Sequence, residues 1–270
     1  MFLTDTHCHL YFDAFDADRD DVIANAHRNG VQVMLSLGVD VPSSQATVNL
    51  AEQYEGLYAA VGVHPNDAHK AWEGEHTLEA LRALAASPTV VAIGEIGLDY
   101  YRDRTPRLTQ WHVLRQQLDL AADLGLPVSL HNREATDDLL GILREWVTDL
   151  REEGNPLAER PGVWHAFSGT EAEGRAAFEL GFLLGIGGPV TFKNAPERRR
   201  VVASLPLEAL VLETDAPFLA PHPYRGRRNE PAYVRLVAAQ IAELHGLSLE
   251  DVARLTSRNA QKLFRWREAV

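Results

Sequence analysis

Eight short apolar runs rich in β-branched residues alternate with longer segments of helical period, and this rhythm restricts the fold more than any other feature of the chain. The runs are FLTDTH after Met1, VQVMLSLG from Val31, LYAAVGVH from Leu57, VVAIGEIG from Val90, PVSLH from Pro127, GVWHAF from Gly162, FLLGIGG from Phe182 and LVLETD from Leu210. Their near-continuous apolarity suits strands buried on both faces, as in a parallel sheet. Eight strands alternating with helices in 270 residues match an α/β TIM (β/α)8 barrel, for which about 250 residues is typical. The rival is an open doubly wound sheet, and the lack of a GxGxxG loop after the first run weakens its nucleotide-binding form.

The intervening segments carry helix signals. Thr105 before Pro106 reads as an N-cap with a first-turn proline, Trp111, Leu114, Leu118 and Ala121 form one stripe, and Gly125 ends it. Thr170 with Glu173 reads as a capping box, and Ser248 with Asp251 as a weaker one. No linker, low-complexity tract or repeat divides the chain, so residues 1–270 read as a single domain.

Composition excludes several classes. A single cysteine, Cys8, leaves no internal disulfide and no cysteine zinc site, and points to the cytoplasm. No apolar run nears the roughly 20 residues of a membrane span, and the first residues lack the signal-peptide pattern. A net charge of −12 argues against a broad nucleic-acid surface, which draws its affinity from clustered Lys and Arg. It leaves room for a phosphate held locally by metal ions. With no long apolar surface stripe, a monomer without an obligate protein partner is the default expectation.

In a barrel the catalytic residues sit at the carboxyl ends of the strands. His7 and His9 end the first run, His64 the third and His131 the fifth; Glu95 lies near the end of the fourth, His165 in the sixth, and Asp215 closes the eighth. His27, His69, His76, His112 and His245 fall in helical or loop segments and are assigned no chemistry. The i, i+2 spacing of His7 and His9 puts both on one face of a strand, able to share a cation. Imidazoles suit Zn2+, and carboxylates widen the choice to Mn2+ or Mg2+. His7, His9, Glu95, His131, His165 and Asp215 are too many for one tetrahedral ion and fit two ions bridged by a carboxylate and a water.

Each residue also has a plainer reading. His165 suits a hydrogen-bonded core position, Asp215 a turn cap before Ala216 and Pro217, and Glu95 an ion pair with an arginine. Gly94 and Gly97 mark either a ligand approaching the backbone or a turn.

Longer motifs decide more. DTHCHL at Asp5, GVHP at Gly62, GEIGLDY at Gly94, LHNR at Leu130, HAFSG at His165, ETDAPFL at Glu213 and RGRRNEP at Arg225 closely resemble the TatD family of metal-dependent hydrolases in the amidohydrolase superfamily. The resemblance runs from Asp5 to about Pro231. It implies a TIM barrel with a two-metal site and DNase activity, often of the 3′ exonuclease kind and sometimes cleaving abasic sites. It also implies His7, His9 and Asp215 as ligands of one ion, His131 and His165 of the other, and Glu95 as the bridge. The fourth run has no lysine, which sets the chain apart from relatives that bridge with a carboxylated lysine.

The resulting expectation is a 3′-5′ exonuclease-type deoxyribonuclease acting through a hydroxide bridging two divalent ions, Mg2+, Mn2+ or Zn2+. Glu95 and Asp215 are its catalytic carboxylates, with Asp215 accepting the water proton. His64 and Arg225 position phosphate, Arg225 lying in a basic loop that reads equally as solvated. Single-stranded DNA or a 3′ end is the expected substrate, since the acidic chain repels a long duplex. Tyr100, Tyr101 and Phe218 are candidates to stack a base, or else pack the rim. Two rivals remain: a two-metal amidohydrolase cleaving a small-molecule amide or ester, and a non-catalytic metal-binding scaffold.

Overall fold

The computed structural model describes residues 1–102 and 104–266. Its strands are β1 (Leu3–Cys8), β2 (Val31–Leu37), β3 (Leu57–Val61), β4 (Val90–Asp99), β5 (Val128–Arg133), β6 (Gly162–Trp164), β7 (Leu183–Ile186) and β8 (Leu210–Leu212). Helices α1 (Arg19–Arg28), α2 (Val41–Ala51), α3 (Ala68–Ala71), α4 (Glu75–Leu84), α5 (Arg107–Leu124), α6 (Thr136–Glu152), α7 (Glu171–Glu179), α8 (Pro196–Ser204), α9 (Val234–His245) and α10 (Leu249–Phe264) complete it. The strands are parallel and lie in chain order from β1 to β8, so each apolar run supplies one strand of the expected TIM barrel.

Two apolar layers follow from the period-2 alternation of buried strands. Met34, Ala59, Val61, Leu130 and Trp164 pack with helix residues such as Val48, Leu81, Leu114 and Leu139 between sheet and helices. Val33, Leu35, Leu37, Ala60, Ala92, Val163 and Val211 fill the interior together with Ala260, Leu263, Phe264 and Trp266. The end of α10 thus plugs the base of the barrel, at the amino ends of the strands. Its buried Val252, Thr256, Ala260, Leu263 and Phe264 repeat at helical spacing.

Helix boundaries follow the sequence signals with one exception. Gly125 closes α5 in the left-handed conformation, Thr170 and Glu173 form the reciprocal capping box of α7, and Ser248 accepts from Asp251 N at α10. Thr105, however, does not cap α5, which starts at Arg107. Its buried hydroxyl accepts from His69 N at 3.2 Å and donates to Asn66 O at 3.3 Å, tying α3 to the loop after β4.

Gly94 and Gly97 do not form a turn. Both lie inside β4, where a Cβ on Gly94 would stand 2.8 Å from the Ser129 side chain and one on Gly97 2.0 Å from His131 O. Gly97 also has φ +147°. They let β5 approach β4 closely, and so fix where His131 stands relative to Glu95.

The barrel closes differently between β8 and β1. Among the described residues, one isolated bridge, Cys8 with Ala216, is made there. Asp215 N donates to His7 O at 2.8 Å and His9 N to Ala216 O at 2.7 Å. Thr6 Oγ1 donates to Leu212 O at 3.0 Å, and the fully buried Asp5 carboxylate accepts from Thr214 N at 2.9 Å and Thr214 Oγ1 at 2.5 Å. Burial pushes the Asp5 carboxyl up to about 8 against these hydrogen bonds. Side chains therefore complete the seam where a ladder is missing.

Candidate active site

All seven polar groups singled out at strand ends converge on the mouth of the barrel. His7 projects from β1 and His9 follows directly after it. Glu95 sits midway along the ten-residue β4 and His131 within β5. His64 lies three residues beyond β3, and Asp215 three beyond β8. His165, expected inside the sixth strand, stands just past the end of β6, because Ala166 turns the chain with φ 47°. Asp215 itself has φ 58°, a left-handed conformation that costs a non-glycine residue roughly 1–3 kcal/mol and clusters at functional sites.

Glu95 is the centre of the cluster, and its two oxygens face different sets. Oε2 lies 3.5 Å from His7 Nε2 and 3.6 Å from His9 Nε2. Oε1 lies 2.9 Å from His131 Nδ1, 3.5 Å from His64 Nε2 and 3.8 Å from His165 Nε2. Asp215 Oδ1 joins the first set, 3.6 Å from His9 Nε2 and 4.0 Å from His7 Nε2. Burial opposes ionisation of Glu95, yet the surrounding imidazoles hold its carboxyl well below the usual carboxylate range.

The imidazoles differ in what they present. His9 Nδ1 donates to Leu37 O at 2.8 Å, so the neutral ring offers a bare Nε2 to the centre. That atom lies 3.2 Å from His7 Nε2, and two ring nitrogens so close cannot both carry protons. His64 is the reverse. Its Nδ1 accepts from Asn66 N at 3.0 Å, leaving Nε2 protonated and aimed at Glu95. Burial pushes His64 down to about 3 despite Glu95, so it is a neutral donor. His64, Glu95 and His131 have the spacing of a cation site, but the tautomer gives His64 the role of hydrogen-bond donor.

The surroundings explain the match to known proteins. The model of the family described as TatD related DNase fits residues 4–265. The chain belongs to the TatD-related DNase family. A metal-dependent hydrolase of Bacillus subtilis, YabD, is 43% identical over 97% of this chain and 99% of its own length. A protein of Cronobacter sakazakii named 3′-5′ ssDNA/RNA exonuclease TatD is 40% identical over 93% of each chain. The crystal structure of the TatD homologue YjjV from Escherichia coli superposes with a TM-score of 0.88 at 35% identity, covering 97% of this chain and 98% of its own.

As a TatD-family metal-dependent hydrolase, the chain holds outer partners that the sequence reading passed over. Asp99 Oδ2 lies 3.2 Å from His131 Nε2 and accepts from Asn66 Nδ2 at 2.9 Å, so His131 stands between two carboxylates. Burial opposes charge on His131, but these partners raise its pKa above the usual range. Glu213 Oε1 lies 3.1 Å from His165 Nδ1 and accepts from Ala166 N at 2.7 Å. Against the effect of burial, Glu213 and its acidic neighbours lift His165 to about 10. Both carboxylates were visible in one respect: Asp99 is four residues from Glu95 on one strand, and Glu213 two from Asp215. Asn229 of RGRRNEP, fully buried, donates to Thr214 O and Phe218 O, both at 2.7 Å, and pins the loop carrying Asp215.

The cluster floors a cavity of about 420 Å3 whose walls include Arg102, Arg104, Arg133, Phe12, Phe218 and Leu219. Arg225 is absent from that lining. It lies exposed over the Phe192 ring at 4.4 Å and donates to Asn194 Oδ1 at 3.1 Å. Arg228 is occupied by Asp18 through two hydrogen bonds of 2.7 and 2.6 Å. Among the described residues no helix is long and apolar enough to cross a membrane.

Proposed function

We propose that the protein hydrolyses phosphodiester bonds at the 3′ end of single-stranded DNA, using two divalent ions. The observation that carries this reading is Glu95, whose two carboxylate oxygens face two separate groups of imidazoles at the floor of a cavity walled by arginines. The residues fit the ions. Bare, buried nitrogens of His7 and His9 meet Glu95 and Asp215 on one side, and His131 and His165 meet Glu95 on the other. His7, His9 and Asp215 would hold one ion and His131 and His165 the second, with Glu95 placed between the two sets. When bound, the ions acidify a water and neutralise charge developing on the phosphate oxygens.

The chain's own groups do the rest. The Asp215 carboxyl is held below the usual range by His9, His165 and His7 although burial opposes it, so it is ionised and able to accept the water proton at Oδ1. His64 Nε2–H donates to a phosphate oxygen. Water oxygen bonds to phosphorus, the P–O3′ bond breaks, and the proton passes to the leaving 3′ oxygen. Arg102, Arg104 and Arg133 present planar forks to the phosphates of the remaining strand. Arg225 serves as an outer phosphate contact on the exposed loop. The relatives named as single-strand exonucleases support this choice over a small-molecule amide or ester.

The test is release of mononucleotides from 3′-labelled single-stranded DNA by protein stripped with chelator and reloaded with Mg2+, Mn2+ or Zn2+. Metal-dependent release that disappears in Glu95→Gln and Asp215→Asn is the expected result. Unchanged hydrolysis in either variant excludes the mechanism. Arg225→Ala should weaken phosphodiester cleavage more than hydrolysis of a neutral ester.

A further inference from the structure

Three aromatic residues approach the rim, and their surroundings separate them. Tyr100 donates to Asp138 Oδ2 at 2.6 Å, accepts from Trp111 Nε1 at 2.6 Å and lies beneath Arg107 at 4.0 Å. Tyr101, itself 54% exposed, lies outside the cavity lining and has one ring face under Arg133 at 3.8 Å. Phe218 differs. It lines the cavity, remains 50% exposed, and its ring contacts are edge-type, with Phe12 at 5.7 Å and His9 at 6.3 Å. Among the described residues, no ring stacks on it.

The exposure is built in. Phe218 N donates to Asp215 O at 2.7 Å, and the buried Asn229 amide holds Phe218 O. Leu219, 47% exposed, lines the same cavity and adopts φ 53°, a strained conformation for leucine. An apolar pair held out of the core on a fixed loop, in a cavity also lined by three arginines, has the chemistry of a nucleobase seat beside a phosphate track.

We propose that Phe218, backed by Phe12 and flanked by Leu219, stacks the base of the 3′-terminal nucleotide, while the strand's upstream phosphates run along Arg102, Arg104 and Arg133. This rests on the phosphodiester reading and deepens it: the enzyme recognises its terminal nucleotide through an unpaired base. Stacking is tolerant of base identity, so all four bases are accepted, whereas a terminal nucleotide lacking a base is a poor substrate. Because the base is bound alike before and during reaction, the effect falls on KM.

The experiment compares two single-stranded oligonucleotides, one ending in an ordinary nucleotide and one in a tetrahydrofuran abasic residue, with metal-loaded wild type, Phe218→Ala and Phe218→Trp. Wild type and Phe218→Trp should show a KM about tenfold lower for the base-bearing end. Phe218→Ala should raise that KM about tenfold, abolish the preference and leave kcat unchanged. Full preference in Phe218→Ala overturns the seat while leaving the phosphodiester reading intact. If wild type hydrolyses neither oligonucleotide, the phosphodiester reading itself falls, and the seat with it.

Discussion

The two ends of the barrel carry cavities of similar size and opposite character. At the base, about 580 Å3 is bounded by Met1, Phe2, Val33, Trp266 and the polar face of α10. At the mouth, about 420 Å3 is floored by imidazoles and carboxylates. The larger space holds none of the clustered ligand groups, so volume does not locate chemistry here. What marks the mouth is charge held out of water beside a strained backbone: buried Glu95, imidazoles packed around it, and a left-handed Asp215. The base is cohesive instead, with Trp266 stacked on Phe264 at 5.0 Å and on Tyr58 at 5.7 Å. One end keeps paired charges out of water in the arrangement a cation would use; the other end holds the barrel shut.

If that division is right, removing metal should act on the mouth alone. Chelation should abolish hydrolysis and lower the melting temperature, and ions restored at about 100 times their Kd should return roughly 2.7 kcal/mol of stability per ion bound. Calorimetry with and without ions checks this; an unchanged melting temperature breaks the comparison. Glu95→Gln should reduce kcat/KM by well over the 10- to 100-fold of an outer partner, since it touches both halves of the cluster. Metal analysis of the same sample should show fewer ions per chain.

Smaller effects sharpen the boundary. Asp99→Asn should cost about 10–100-fold in metal affinity or rate by releasing the far side of His131. Arg104→Ala should raise KM and lower the salt slope by about 0.7 on single-stranded DNA, leaving kcat alone. Phe264→Ala should leave activity per folded molecule unchanged while costing about 3–5 kcal/mol in denaturant unfolding. A large loss of kcat there breaks the separation of the two ends.

The alternation of runs made the barrel legible because buried parallel strands tolerate little polarity, and seven exceptions at strand ends then stood out. Strand extents were less legible. GVWHAF and LVLETD look continuous, yet β6 stops at Trp164 before left-handed Ala166 and β8 at Leu212, and no residue type there announces it. Gly94 and Gly97 were ambiguous because the backbone that crowds them belongs to β5, distant in sequence. The arginines show the same limit. Arg225 attracts notice beside Arg227 and Arg228, whereas Arg102, Arg104 and Arg133 reach the cavity from two separate segments. Residues gathered by topology leave no local signature.

The seam between β8 and β1 has a temporal consequence. His7 and His9 are synthesised before β2 to β8, and Asp215 only after all eight strands have been made. A growing chain therefore carries half a ligand set with nothing to complete it. The same two backbone bonds that join His7 to Asp215 and His9 to Ala216 bring the set together, so the cluster matures in the act of closing the barrel, and any fraying of the first strand from the last disarms it.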